Sequence, residues 1–264
     1  MILTISDEEK LFETIKNKED EKVKSILNNS NKNKKILKLN EKNNIGYYPL
    51  LEAIYNNNVE IVKLLIEYAN QHQIILEMNE KSNDGTYSLY YAVLNNNIEI
   101  VKLLIKYANQ HQITLELNEK DNDGEYPLLW AISWNNIEIV KLLIEYANQH
   151  QIILELNEKD DKYGYYPLLW AINRDNTKIV KLLIEYANQH QIILKLNDKN
   201  KNGWYPLLWA ISNKYIEIVK LLIDYALQHQ INLEYNKNDI ENNTEIKNLL
   251  QNYEKEKGMK KVNK

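Results

Sequence analysis

The chain has 264 residues, a formal net charge of −4, and a composition that is 44% hydrophobic and 27% charged, which is ordinary for a folded protein. It has no cysteine, which excludes disulfides, thiolate nucleophiles and cysteine-ligated zinc. Its longest apolar runs, such as YPLLWAI, fall far short of the roughly 20 residues that a membrane helix needs. The acidic balance gives no reason to expect a nucleic acid partner. The N-terminus lacks a basic segment followed by a long apolar run, which predicts an intracellular, cytoplasmic protein.

The first predicted element is the helical stretch LFETIKNKEDEKVKSIL, residues 11–27. Much of its pattern recurs 39 residues later in LLEAIYNNNVEIVKLLI, residues 50–66. Two positions that are apolar in the later copy are polar here, Lys22 and Ser25. A polar outer face is typical of a terminal repeat, so residues 1–45 are predicted to form an N-terminal capping repeat.

Five full repeats are predicted next, because glycines recur 39, 39, 40 and 39 residues apart. These are Gly46, Gly85, Gly124, Gly164 and Gly203. All four prolines stand three residues after one of these glycines, and only the second repeat has Ser88 there. Glycine permits positive φ and proline starts helices, so the same turn is expected in each repeat. The predicted repeats are residues 46–84, 85–123, 124–163, 164–202 and 203–241, a period typical of a solenoid.

Each full repeat is predicted to contain two helices. In the third repeat the first helix starts near Pro127, and its apolar residues are Leu128, Leu129, Ala131 and Ile132. The second helix carries an apolar face made by Ile137, Val140, Leu143, Ile144 and Ala147. Asparagine-rich joints suit the tight link, since asparagine tolerates left-handed backbone. The following IILEL segment either extends the second helix or forms an extended strip, and the sequence leaves both open.

Residues 242–264 are predicted to form a C-terminal capping helix followed by a frayed basic tail. The closing residues EKEKGMKKVNK are either a docking segment for acidic partners, a nuclear address or, more commonly for such a tail, simply solvated.

The segment DNDGEYPLLWAISWNNIEIVKLLIEYA, residues 121–147, resembles the ankyrin repeat. The family pattern is an Asp-x-x-Gly turn, Thr-Pro-Leu-His-x-Ala-Ala, a short joint and Glu-Ile-Val-x-Leu-Leu-Leu. The matching residues here are Asp121, Gly124, Pro127, Leu128, Ala131, Glu138, Ile139, Val140, Leu142 and Leu143. The resemblance recurs over roughly residues 7–241 and implies an all-α, ankyrin-like helical repeat solenoid with short β-turn or hairpin tips. Because the 39-residue period is longer than the family's, a HEAT or armadillo fold is the alternative.

The repeats depart from the family pattern at two polar positions. Tyrosine replaces the threonine at Tyr48, Tyr87, Tyr126, Tyr166 and Tyr205, and leucine or tyrosine replaces the histidine. The resemblance therefore implies that the family's polar bracing of the turn is lost. We expect apolar packing to take its place.

The five histidines, His72, His111, His150, His190 and His229, share one phase of the repeat. Packed helices lie about 8–10 Å apart, whereas zinc needs ligand atoms about 2 Å away, so these histidines are interpreted as structural or exposed. Repeated glutamates are interpreted as solvated helix residues. We predict no catalytic residue, metal or cofactor, and no enzyme activity.

Positions that vary between repeats are the predicted partner-binding residues. In ankyrin proteins, partners usually contact the turn tips and the exposed positions of the first helix. The candidates are Tyr47, Tyr55, Trp134, Tyr163, Tyr165, Arg174 and Trp204. These residue types dominate interface energetics, although unconstrained drift would produce the same variation. Trp130, Trp170 and Trp209 share one phase and are assigned instead to packing between repeats.

The resemblance implies a non-catalytic, monomeric scaffold that binds a protein partner on the concave face of the array. The alternative is a structural or self-assembling repeat protein without a specific ligand. A third hypothesis is an array that associates with a separate enzyme chain.

Overall fold

The computed structural model of the protein describes residues 6–236, 240 and 243–262, and this part of the chain contains thirteen helices and no strand. It divides into two compact units. The first extends to Asn122 and includes Lys141–Ile152, and the second comprises Asp123–Val140 and the described residues from Ile153 onward. The expected all-α helical repeat fold is confirmed, but the described turn tips contain no β-hairpin.

The helices alternate between a first and a second helix of each repeat. The first helices are α1 (Asp7–Lys16), α3 (Pro49–Tyr55), α5 (Ser88–Leu94), α7 (Pro127–Ser133), α9 (Pro167–Asn173) and α11 (Pro206–Ser212). The second helices are α2 (Asp20–Lys32), α4 (Val59–His72), α6 (Ile98–His111), α8 (Ile137–His150), α10 (Thr177–Gln189) and α12 (Ile216–His229). The last helix, α13 (Thr244–Val262), packs on α12. It runs further than the sequence predicted, because residues 258–262, expected to fray, are helical.

Asparagine makes the joint between the two helices of a repeat. Between α3 and α4, Asn57 adopts left-handed backbone with φ of 55°. Asn58 then caps α4, because its Oδ1 accepts the backbone N–H of Ile61 at 3.0 Å. The same pair of roles recurs at Asn96 and Asn97. The prediction from the asparagine-rich joints is confirmed.

The segment after each second helix leaves the helix, which decides the question that the sequence left open. Helix α4 ends at His72, and Gln73 follows with φ of 55°, the left-handed conformation of a helix C-terminus. Residues 74–78 then run without helical structure. The IILEL segments are therefore strips of irregular backbone, and they account for the length of the repeat beyond its two helices.

A tyrosine of the next repeat holds each strip in place. The hydroxyl of Tyr107 accepts the backbone N–H of Leu76 at 3.2 Å and donates to the carbonyl of Ile74 at 3.0 Å. In the second unit, Tyr225 makes the same pair of bonds to Leu194 and Ile192. Because buried backbone polar groups need partners, these hydroxyls make an irregular strip compatible with burial. Tyr253 on α13 does the same for the last strip, at Leu233 and Ile231.

Hydroxyl groups also brace the turn, which corrects the expectation of purely apolar packing there. The tyrosines at the family's threonine position are buried, yet the hydroxyls of Tyr126 and Tyr48 each reach a polar partner. Tyr126 donates to the carbonyls of Glu155 and Glu158 at 2.9 and 3.1 Å. Tyr48 lies 2.8 Å from the hydroxyl of Ser88. Polar bracing is therefore transferred to the tyrosine hydroxyl, which reaches the far end of its own repeat in Tyr126 and the first helix of the next repeat in Tyr48.

Candidate functional site

The turn tips are built from a glycine and a capping side chain, and they orient the variable tip residues. In the fourth repeat, Asp160 accepts the backbone N–H groups of Tyr163 at 2.5 Å and Tyr165 at 2.8 Å. Gly164 supplies the positive φ, 74°, that the turn requires. The next tip donates a backbone hydrogen bond from Lys201 to the carbonyl of Tyr163 at 3.0 Å. Adjacent tips within this compact unit are thus held in register.

In the second compact unit, this register brings tip residues and first-helix residues into one aromatic stack. Tyr165 lies face to face with Trp170 on α9, with ring centroids 4.3 Å apart and planes 23° apart. The guanidinium carbon of Arg174 lies over the same Trp170 ring, 5.3 Å from its centroid. Trp170 is therefore covered by an aromatic ring and a cation, a favourable arrangement for both.

The stack continues into the fifth repeat. The ring of Tyr165 meets Trp209 on α11 edge-on at 6.4 Å, and Trp209 meets Trp204 at 4.8 Å. Trp170, Trp204 and Trp209 are all partly exposed. The side chains lie against one another and also face solvent.

The stack also extends back to the third repeat. Arg174 donates to the hydroxyl of Ser133 at 3.4 Å, and Ser133 precedes Trp134, whose exposure is 50%. The ring of Trp134 stacks on that of Trp130, with the ring centroids 6.3 Å apart. The aromatic surface is defined as the set Trp130, Trp134, Tyr165, Trp170, Arg174, Trp204 and Trp209.

The structure brings together four of the seven sequence-predicted residues, Trp134, Tyr165, Arg174 and Trp204, on the aromatic surface. Tyr163 is 46% exposed at its turn tip, where the ammonium group of Lys162 lies 5.0 Å from its ring centroid. The other two predicted residues, Tyr47 and Tyr55, belong to the first compact unit. Their rings are 5.5 Å apart and both contact Tyr91.

Tyr47 differs from the other predicted residues because only 5% of its surface is exposed. Its hydroxyl lies 2.5 Å from that of Tyr91, and burial raises its pKa well above the ordinary range. Tyr55, in contrast, is 50% exposed. Tyr47 therefore supports the exposed ring of Tyr55 rather than offering a contact surface of its own.

The assignment of Trp130, Trp170 and Trp209 to packing alone was incomplete. Trp209 does contact Tyr165 of the preceding repeat, but none of the three tryptophans is buried. Their shared phase made them resemble core residues. Their position in the first helix would have distinguished these tryptophans from core residues. Each stands two residues after the Leu that follows proline, on the side of the first helix next to the tip.

The histidines have structural contacts. His150 places Nε2 2.8 Å from Oδ1 of Asn109 in the preceding repeat, and its ring lies 4.1 Å from that of Tyr146. Across the described residues, no group of three His, Cys, Asp or Glu side chains could hold a metal ion. In the same part of the chain, every helix is too short or too polar to cross a membrane.

Comparison with known proteins agrees with the fold and the repeated turn. The family model for ankyrin repeats (3 copies) matches overlapping stretches at residues 11–114, 72–153, 109–191 and 150–239. The ankyrin repeat protein EF0377 is 26% identical, with a TM-score of 0.60 over 81% of this chain and 96% of its own. The ankyrin repeat domain of Bcl-3, described as a unique member of the IkappaB protein family, is 20% identical, with a TM-score of 0.57 over 81% of this chain and 85% of its own. No curated protein is significantly similar in sequence.

The array of paired helices, glycine turns and tip contacts defines a helical repeat protein. This chain belongs to the ankyrin repeat family, and the HEAT or armadillo alternative is set aside. Ankyrin repeats are generally protein–protein interaction modules and are typically non-enzymatic, so the family implies a protein partner.

Proposed function

We propose that this protein is a non-catalytic scaffold that binds a protein partner through the aromatic surface. The observation that carries the proposal is the unbroken series of contacts from Ser133 through Arg174, Trp170 and Tyr165 to Trp209. Three successive repeats contribute to it. Turn tips and first helices are the elements that usually line the inner face of ankyrin arrays, which supports a site on the concave face.

The chemistry of the surface suits protein recognition. Tryptophan, tyrosine and arginine are enriched among the residues whose truncation costs most binding energy. Here the rings and the guanidinium are held by one another, so little side-chain freedom remains to be lost when a partner binds. Single exposed apolar residues are common on any surface, but a contiguous cluster of this kind marks an interaction site.

The decisive experiment is affinity capture of partners from the source cells, followed by mass spectrometry. The bait is the full chain, compared with a Trp134→Ala/Arg174→Ala/Trp204→Ala variant. All three side chains are at least partly exposed, so circular dichroism should show equal helix content. A partner that binds the native chain should lose at least about tenfold in affinity to the variant, since each such residue contributes more than about 1 kcal/mol at a hot spot.

A matched control removes exposed apolar side chains elsewhere in the same compact unit. Ile153 and Ile193 are 51% and 53% exposed on their strips, and Ile153→Ala/Ile193→Ala should keep the partner. Equal retention of the partner by all three proteins would move the site away from the aromatic surface. Equal loss from both variants would show that binding is not specific to it.

The proposal includes a monomeric scaffold. Light scattering after size exclusion should give the mass of one chain, 31.4 kDa, at every concentration. A mass that rises with concentration would favour the self-assembling alternative instead.

A further inference from the structure

A cleft whose residues are separate from those of the aromatic surface lies in the first compact unit. Its volume is about 570 Å³, and it opens between α1, the first turn tip and α3. Five glutamates and two lysines line it, which leaves these residues with a net charge of −3. The acidic lining residues are Glu8, Glu9, Glu13, Glu41 and Glu52, accompanied by Phe12, Lys16 and Lys42.

Most of the charges in the cleft are already satisfied. Lys42 donates to Glu80 at 2.9 Å and to the carbonyl of Lys81. Three of the carboxylates have partners of their own, which are Lys35 for Glu8, Lys38 for Glu41 and the Ser6 amide for Glu9.

Among the described residues, no cation lies within 4.0 Å of the other two carboxylates, which belong to Glu13 and Glu52. Glu52 is 95% buried from solvent, since its exposure is 5%, and it lines the cleft. One of its oxygens accepts from the amide of Asn56 at 3.3 Å. The other oxygen has no protein donor within the described part of the chain and is not among the buried polar atoms that lack a partner, so it is open to the cleft. A donor that enters the cleft can therefore reach this oxygen, although the residue is otherwise buried.

The identity of Glu52 has no explanation in the packing of the repeat. It occupies the place on the first helix where later repeats have Tyr91, Trp130, Trp170 and Trp209. An aromatic residue would fill this place without the cost of burying a charge. Burial indeed raises the pKa of the Glu52 carboxyl, and the charge of Lys16 opposes the shift only in part.

We infer that this cleft binds an arginine side chain from a basic segment of a protein partner. Glu52 and Glu13 supply the carboxylates, and Phe12, which is half-buried beside them, supplies a ring face. A guanidinium makes bidentate hydrogen bonds to carboxylate oxygens and stacks on aromatic rings. An ammonium group is less suited to both contacts. The negative charge of the lining residues is complementary to such a segment.

The test uses the full chain and a short acetylated, amidated peptide with two arginines separated by glycine, labelled for fluorescence anisotropy. Glu13→Gln/Glu52→Gln should weaken binding at least about tenfold, because a hydrogen bond to a charged group contributes about 1.5–3 kcal/mol. The control, Glu21→Gln/Glu67→Gln, removes the same charge from exposed positions on α2 and α4 and should bind as the native chain does. A citrulline version of the peptide, of the same shape but uncharged, should not bind.

Three results would overturn the inference. The first is equal weakening of binding by the control variant, which would indicate general electrostatic attraction. The second is binding of the citrulline peptide as tight as that of the arginine peptide. The third is absence of binding to the native chain at millimolar peptide. None of these results bears on the aromatic surface, whose variants leave Glu13 and Glu52 unchanged.

Discussion

His111 places its Nε2 atom 2.7 Å from the side-chain oxygen of Asn70, a residue 41 positions earlier in the preceding repeat. The same contact recurs between His229 and Asn188 at 2.7 Å. The histidine of the repeated QHQ motif thus makes a hydrogen bond that joins the second helices of adjacent repeats. Each histidine ring also packs on the tyrosine four residues before it, as His111 does on Tyr107 at 4.2 Å.

A double-mutant cycle on His111→Ala and Asn70→Ala should reveal this contact. We expect a coupling free energy of about 0.5–1.5 kcal/mol in urea unfolding, the usual net value of a hydrogen bond. The control cycle pairs His111 with Asn31, which contacts His72 instead, and should show no coupling. Additive effects of His111 and Asn70 would mean that the contact contributes nothing to stability.

Tyr107→Phe should destabilise the first compact unit through its strip. The change removes the acceptor of the buried Leu76 N–H and the donor to the Ile74 carbonyl but keeps the ring. A buried donor left without a partner costs about 1–3 kcal/mol, which urea denaturation would measure. Tyr215→Phe is the control, because Tyr215 is partly exposed, and it should change stability by less than about 0.5 kcal/mol. Similar values for the two would exclude a structural role for the hydroxyl.

Alanine substitutions at two glycines, Gly85 and Gly203, would distinguish the cost of backbone strain from the cost of steric crowding. Gly85 and Gly203 have φ of +83° and +82°, so an alanine at either position pays a backbone cost of about 1 kcal/mol. At Gly85 the added Cβ would lie 2.9 Å from Oδ1 and 3.1 Å from the backbone N of Asn122, whereas at Gly203 it meets nothing within 4 Å. Gly85→Ala should therefore lower the unfolding free energy more than Gly203→Ala. The reverse order in denaturant titrations would contradict the tip contact.

Glu52→Gln should stabilise the protein at neutral pH. Burial raises the pKa of the Glu52 carboxyl in the folded chain above its ordinary value of 4.5, so the folded state binds this proton more tightly than the unfolded state. The stabilising effect of that proton is present below pH about 4.5 and is lost as the pH rises through the folded pKa. Glutamine, which is neutral at all pH values, avoids the loss.

Thermal unfolding between pH 4 and pH 7 would check this expectation. The difference in melting temperature between Glu52→Gln and the native chain should be positive at pH 7 and should shrink as the pH falls. Glu67→Gln, an exposed change of the same charge, is the control and should change the melting temperature little. A variant that is less stable at pH 7 would mean that Glu52 already has a favourable partner.

The repeated architecture could be predicted from the sequence because it depends on local backbone requirements. Glycine at the tips, proline at the helix starts and asparagine in the joints each answer a constraint of a few neighbouring residues, such as the positive φ of Gly46 or Asn57. Apolar spacing of 3.6 residues then marks which helix face is buried. These features place the helix pairs and assign the family without knowledge of which residues touch.

The roles of aromatic residues with one shared phase could not be predicted in this way. Tyr107 stands at a position that is tyrosine in every full repeat, and Trp170 stands at one that is tryptophan in the last three. Yet the hydroxyl of Tyr107 is buried against a strip, whereas Trp170 lies partly exposed under Arg174. The difference depends on how far each ring reaches toward a neighbour about 40 residues away. Likewise, the sequence marked Tyr47 as a surface candidate, and its contact with Tyr91 buries it.

The sequence by itself thus determined the repeat, its turns and its helix pairs, because these follow from φ preferences and apolar periodicity within single repeats. Only the tertiary structure decided which variable residues form the aromatic surface and that Glu52 faces the acidic cleft. Burial and pairing of those side chains depend on distances between residues far apart in the chain, and a single sequence does not contain those distances.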